Sequence, residues 1–263
     1  GVHDERIVFS HADGVWPLKA ARPPIPGVVI YAGVDGSFSA WDPARNYWTD
    51  KDVAAVRPRA FNFTPDQVWH GLPAETSQIS KPVWHCRGLV QDWVLWQRSN
   101  DPAFADLVKV LDALSPSGLE KLVPGAPVQV GEDVTEQPSL RMPYGQDVPL
   151  LHASAGMRRI AALAYLLVWT WREHLRASAR TRRKPAREVI FLIDEIECHL
   201  HPQWQRRIVP ALLNVMEALT GQKVPVQLIV ATHSPLVLAS VEPSFDEEKD
   251  GVFHLQLREG QAV

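Results

Sequence analysis

The chain has 263 residues, 46% of them hydrophobic and 22% charged, and 27 basic against 30 acidic side chains leave a net charge of −3. That balance excludes a polybasic nucleic-acid coat, and two cysteines exclude a disulfide framework and fit a reducing, cytoplasmic compartment. The longest apolar stretch, 160–171, is too short for a membrane span of about 20 residues, and neither a signal peptide nor a membrane partner is expected.

In chain order, the first 150 residues read as irregular and turn-rich. Pro is dense from Pro17 to Pro149, and seven of the ten Trp lie before residue 100, so aromatics would anchor this part. The run Gly27-Val-Val-Ile-Tyr31 predicts a strand, Gly33-Val-Asp-Gly36 a tight turn and Ser37-Phe-Ser-Ala-Trp41 the returning strand of a hairpin. Thr64-Pro-Asp-Gln67 is a helix-start pattern, with Thr64 as N-cap, Pro65 at the first helical position and Gln67 three residues after the cap. Leu89, Val90, Trp93, Val94 and Trp96 share a helical face, and 103–114 is a second helix stopped by Pro116 and Gly118. From 124 to 149 the pattern dissolves into loops and short edge strands.

The second half changes character. Residues 154–176 predict a long helix with little polar face, hence a buried one. A basic loop follows, with Arg176, Arg180, Arg182, Arg183, Lys184 and Arg187. Val189-Ile-Phe-Leu-Ile193 reads as a strand covered on both faces of a parallel sheet. Residues 202–219 predict one helix, with Pro202 at its start and Gly221 past its end. Residues 226–231 predict a second buried strand, completing a strand–helix–strand unit, and 252–257 a last short strand.

Chemistry concentrates at three places. Asp194 and Glu195 close the first buried strand, at the sheet edge where open α/β sheets bind ligands. Adjacent carboxylates there are costly unless a cation or a proton transfer uses them. His233, in Ala231-Thr-His-Ser-Pro235, closes the next strand. Ser154-Ala155-Gly156 opens the buried helix with small residues, which let backbone N–H groups approach an anion closely. Each has a plain structural counterpart: helix-capping acids, a histidine bonded in a turn, an ordinary Ser N-cap.

These motifs in this order, with Glu197-Cys-His-Leu-His-Pro202 after the acids, resemble the C-terminal lobe of ABC-type ATPases of the SMC-like and OLD-like branch, often called AAA-family ATPases. The arrangement is also similar to a bacterial group of predicted ATP-binding proteins whose relatives include phage-defence ATPases. The resemblance covers roughly residues 150–240. It implies an α/β, P-loop NTPase-like lobe over 151–263, with parallel strands and flanking helices, preceded by a Pro/Trp-rich α+β connecting or insertion region over 1–150. It also implies ATP and Mg²⁺ as ligands. Asp194 of the Walker B pair would hold Mg²⁺, Glu195 would be the general base and His233 would contact the γ-phosphate. Ser154, Ala155 and Gly156 match the signature motif, which would bind a nucleotide held by a second ATPase subunit, and His201 matches the D-loop position at that homodimer interface. The chain departs from the pattern at Ala153, where Leu is usual, at Ala155, where Gly is usual, and at His201, where an acid is usual.

No Gly-x-x-x-x-Gly-Lys-Ser/Thr occurs in the sequence, and Gly33 to Gly36 is too closely spaced and carries no Lys. That motif supplies most of the phosphate affinity, so the resemblance implies a Walker A lobe N-terminal to this region and outside this chain. The chain opens on Gly1 rather than Met, as a processed product, a tagged protein or the later part of a longer protein would. Two functions compete: an ATP hydrolase completed by that lobe, and a catalytically inert half-domain serving as an interaction module. A nucleic-acid or nuclease partner is a third element, suggested by the basic run from Arg172 to Arg187, although a solvated loop after a helix explains such a run as well. Cys198 and His201 could share a helical face toward a metal, but the spacing fits no standard zinc pattern. The Trp set (Trp41, Trp48, Trp69, Trp84, Trp93, Trp96) could stack bases, with core filling the favoured role.

Overall fold

In the computed structural model the described residues are 26–46, 60–74, 84–116, 121–131, 135–255, 257–258 and 261–262. The hairpin forms as its sequence dictates. Strand β1 (Val28–Ala32) turns at Gly33–Gly36 and pairs antiparallel with β2 (Phe38–Trp41), which pairs with β3 (Ala60–Phe63). The Gly33 N–H donates to the Ser37 carbonyl at 2.9 Å, and Gly36 takes φ 88°, open at little cost only to glycine.

Strand β1 also pairs in parallel with β10 (Val189–Ile193), Val28 opposite Val189, and β10 pairs in parallel with β11 (Val226–Val230). The sheet order is therefore β11-β10-β1-β2-β3. Three of its five strands come from the stretch assigned to a connecting region, so sheet and core both draw on either side of residue 150.

Around the sheet lie α1 (Pro43–Asn46), α2 (Pro65–His70), α3 (Gly88–Arg98), α4 (Pro102–Leu114) and the long α5 (Ala155–Arg180), then α6 (Pro202–Gln205), α7 (Ile208–Thr220) and α8 (Pro235–Val241). Thr64 caps α2 in a full capping box with Gln67. Short strands β4 (Leu72–Pro73) and β5 (Trp84–Cys86) pair with each other, and β6 (Val128–Gln129), β7 (Glu136–Gln137), β8 (Ser139–Arg141) and β9 (Asp147–Pro149) make small ladders where loops or edge strands were expected.

Helix α5 is the axis of the core. Ile160, Ala164, Tyr165, Leu167 and Val168 are buried on it, and Trp169 meets Phe61 and Phe63 edge-on at 5.0 and 5.3 Å. Two buried polar clusters pin it. The Tyr165 hydroxyl donates to Asp92 Oδ2 at 2.8 Å and lies 2.9 Å from Cys86 Sγ. Burial pushes the Cys86 thiol up to about 12, against the lowering effect of Tyr165, so the thiol is a protonated donor to the phenol oxygen. On the next turns, His174 Nε2 accepts the Ala186 N–H at 2.8 Å, which makes Nδ1 the protonated nitrogen donating to Asp42 at 2.7 Å. Arg172 reaches Asp101, the N-cap of α4, and Asp106 within it at 3.0 and 3.1 Å.

Four sequence expectations are corrected here. Among the described residues the inner strands are not covered on both faces. Val189, Phe191 and Ile193 are buried, but Ile190 and Leu192 are only half-buried, Tyr31 is 38% exposed and Ile229 is 52% exposed. Strand β11 is an edge of the described sheet, so it alternates instead of being buried. The expected single helix 202–219 is two, α6 and α7, broken at Arg206–Arg207. Pro210 is the reason: it has no N–H for the Arg206 carbonyl, and its ring would strike that carbonyl in a continuous helix. Residues 251–255 are irregular and exposed instead of a strand, and among the described residues Leu257–Arg258 pairs with Gln261–Ala262. Of the Trp set, Trp93 and Trp96 fill the core, Trp84 is 39% exposed, and Trp48 lies outside the described residues. No helix among the described residues is long and apolar enough to cross a membrane.

Candidate functional site

The parallel register sets the site. Ile193 and Val230 are paired ends of β10 and β11, so the segments that follow them leave the sheet side by side at its C-terminal edge. The ladder runs slightly further: the Ala231 N–H donates to the Ile193 carbonyl at 3.0 Å and the Ile196 N–H to the Ala231 carbonyl at 3.4 Å. Asp194 and Glu195 lie on the first segment and His233 on the second.

Asp194 and Glu195 are half-buried, and no hydrogen bond or ion pair among the described residues engages either carboxylate. Glu195 sits at φ 42° and His199 at φ 63°, a left-handed backbone that non-glycine residues adopt at a cost of about 1–3 kcal/mol where the surroundings enforce it. Arg159, in the second turn of α5, is part of that enforcement. Its guanidinium donates to the carbonyls of Asp194 at 3.3 Å, Glu195 at 3.5 Å and Val34 at 2.8 Å.

Ser154 caps α5, its Oγ accepting the Met157 N–H at 3.3 Å, and it is exposed. Ala155 begins the helix. Gly156 faces the acidic loop: a Cβ there would lie 2.6 Å from the His199 carbonyl oxygen. The small-residue helix start thus packs on the segment after the acids. His201 is the exposed N-cap of α6, with Nδ1 3.5 Å from the Gln203 N–H. His233 is exposed, and its neighbour Ser234 caps α8 by accepting the Leu236 and Val237 N–H groups.

Glu197 has its own partners. Its carboxylate accepts the Thr232 hydroxyl and the His233 N–H, each at 2.6 Å. Partial burial pushes this carboxyl up, but those two bonds outweigh it and hold it below the usual carboxylate range. The sequence showed Glu197 only as a neighbour of the acidic pair; nothing in its spacing announces that it bridges the segments that follow two strands. Arg159 and Gln205 were equally silent, because their partners are backbone atoms or residues far along the chain.

A cavity of about 230 Å³ opens beside the site, between the hairpin turn, α2 and the first turns of α5. Asp35, Arg158, Arg159 and His199 line it with apolar neighbours, while Asp194, Glu195 and His233 do not. Among the described residues no group of three or more His, Cys, Asp or Glu side chains could hold a metal ion on its own. The Cys198–His201 pair therefore has no third protein ligand there. In the basic run, Arg176 and Arg180 are paired with Glu173 on α5.

The family described as "AAA domain, putative AbiEii toxin, Type IV TA system" matches residues 54–239. The chain is also 50% identical over 52 residues to the Retron Vc95 probable ATPase of Vibrio cholerae serotype O1 biovar El Tor, and 43% identical over 53 residues to the Retron Ec83 probable ATPase of Escherichia coli. Those stretches cover 20% of this chain but only 9% and 8% of the relatives, so the matched part is less than a tenth of either. An SMC ATPase structure, from work on ATP-driven dimerization and DNA-stimulated activation, aligns with 64% of this chain and 85% of its own at 19% identity and a TM-score of 0.36. That likeness is loose, and the architecture stands on the strand order itself. The family match spans well over half of the residues, and the chain belongs to this AAA-domain family.

Proposed function

We propose that this chain is the acid- and histidine-bearing part of an ATPase head that hydrolyses ATP to ADP and phosphate. The observation that carries the reading is the common edge. Two carboxylates without a partner among the described residues follow β10, and an exposed imidazole follows β11, its paired neighbour. Mg²⁺ sites in such enzymes use one or two carboxylates together with the substrate phosphates, and the Asp194 carboxylate, which no described residue engages, suits that share. Mg²⁺ would supply neutralisation of phosphate charge. Glu195 would accept a hydrogen bond from the attacking water and take its proton. His233 would donate toward a γ-phosphate oxygen. Ser154, its proton free while Oγ caps the helix, would serve with Ala155, Gly156 and His201 at the face of a second ATPase subunit.

The phosphate cradle must come from a further lobe, since these 263 residues hold no Gly-x-x-x-x-Gly-Lys-Ser/Thr. The open edge of β11 and the half-covered face carrying Tyr31, Leu192 and Ile229 support a place for it, because parallel sheets are otherwise covered on both faces. The same missing motif favours a second reading, an inert half-domain that acts as an interaction module.

The test uses Glu195→Gln in the protein with its phosphate-binding lobe present. The variant binds ATP, fails to turn it over and accumulates as a nucleotide-bound dimer. Turnover at the wild-type rate would remove Glu195 as the base. ATP titration of the present chain separates the readings: micromolar binding argues against the inert one.

A further inference from the structure

Glu197 has no part in the chemistry assigned above, yet it carries the tightest side-chain tie between the two segments of the site. The ladder between β10 and β11 fades at the 3.4 Å Ile196–Ala231 rung. Past that rung neither segment is a strand. Glu197 joins them again with both oxygens, Oε2 accepting the Thr232 hydroxyl and Oε1 the His233 N–H, each at 2.6 Å. Hydrogen bonds to a charged acceptor are the shorter and stronger kind.

The chain of bonds continues on the other side of His233. Thr232 Oγ1 accepts the Ser234 N–H at 3.0 Å. The Ser234 hydroxyl donates to Gln205 Oε1 at 2.7 Å, and Gln205 Nε2 donates to the Leu200 carbonyl at 2.8 Å. Both neighbours of His233, and its own amide, are thus fastened to the segment that carries Asp194 and Glu195. His233 itself is exposed.

We propose that Glu197 is a positioning residue that locks the His233 backbone to the acidic loop, so that imidazole and carboxylates keep one relative placement. Its effect on turnover rests on the ATPase reading; the lock itself does not.

Two readouts test it. The first is amide hydrogen exchange at His233 in this chain. Glu197→Ala removes the acceptor, and Thr232→Val removes the hydroxyl while keeping the shape. Exchange at His233 is expected to rise by roughly ten- to a hundredfold in Glu197→Ala and less in Thr232→Val, with amides in α5 unchanged. Glu197→Gln keeps an oxygen for the His233 amide and restores most of the protection. The second is ATP turnover with the phosphate-binding lobe present. There Glu197→Ala lowers kcat about tenfold with KM for ATP unchanged, and Glu197→Gln recovers most of it. An unaltered His233 exchange rate in both Glu197→Ala and Thr232→Val overturns the lock. Faster exchange with unaltered kcat, in a protein that Glu195→Gln inactivates, overturns its role in catalysis. Turnover that survives Glu195→Gln defeats the ATPase reading instead, and the exchange rates then decide the lock alone.

Discussion

Replacing Gly156 by Ala sets two known effects against each other. In an exposed helix the change gains up to about 1 kcal/mol, because Ala loses less backbone freedom than Gly. Here the new Cβ would sit 2.6 Å from the His199 carbonyl oxygen, 3.6 Å from its carbon and 3.7 Å from Leu200 Cα. Relief needs a shift of several tenths of an ångström, and the atom that must move is backbone. His199 already holds φ 63°, so its segment has little room to rotate. Overpacking of this kind costs about 1–3 kcal/mol. Set against the helix gain, the net is a loss of about 1 kcal/mol, with the sign opposite to propensity. Urea denaturation of both proteins measures it, with the m-value as the check that the unfolded state is the same. A variant as stable as the parent, or more stable by the propensity increment, would refute the close approach of α5 to the acidic loop.

Further outcomes follow from the polar clusters on α5. Burial raises the Asp92 carboxyl above its ordinary value, the Tyr165 hydrogen bond only partly offsetting it. A raised carboxyl contributes stability that is complete below about pH 4 and is lost as pH rises through the folded value. Asp92→Asn removes that titration, so its stability relative to the parent improves between pH 4 and pH 7; a constant difference in thermal or urea midpoints across that range would contradict the shift. His174→Ala leaves the Asp42 carboxylate without its imidazole donor and the Ala186 N–H without an acceptor in a site where His174 is 1% exposed. It is expected to cost about 3–5 kcal/mol by denaturation, and a loss under 1 kcal/mol would show the pair to be incidental.

Local signals in the sequence carried the local structure. Thr64, Pro65 and Gln67 announce a capping box because the bonds close within four residues. Ser154 announces the start of α5 for the same reason, and Gly33 to Gly36 the hairpin. The strands that carry the acids and the histidine were legible as apolar runs, and their shared edge follows from parallel pairing. What stayed hidden is long-range. Nothing near Val28 says that it pairs with Val189, so the hairpin's membership of the central sheet was invisible, and the same apolar runs overstated how covered the inner strands are. The break between α6 and α7 was readable in principle from Pro210, whose ring forbids a carbonyl four residues back, but an apolar period across 208–219 masks it. Glu197, Arg159 and Gln205 could not be found from spacing, since their roles exist only once two strand ends and a helix start meet.

The central claim is that Glu195 and His233 serve one phosphoryl group. A double-mutant cycle tests it most directly: single-turnover ATP hydrolysis of the parent, Glu195→Gln, His233→Ala and the pair, with the phosphate-binding lobe present and the same Mg²⁺ and ATP throughout. Groups that act on one transition state are strongly non-additive, so the double variant is predicted to be no slower than the slower single one. Losses that multiply as independent factors, or a His233→Ala protein that turns over at the parent rate, would contradict the account.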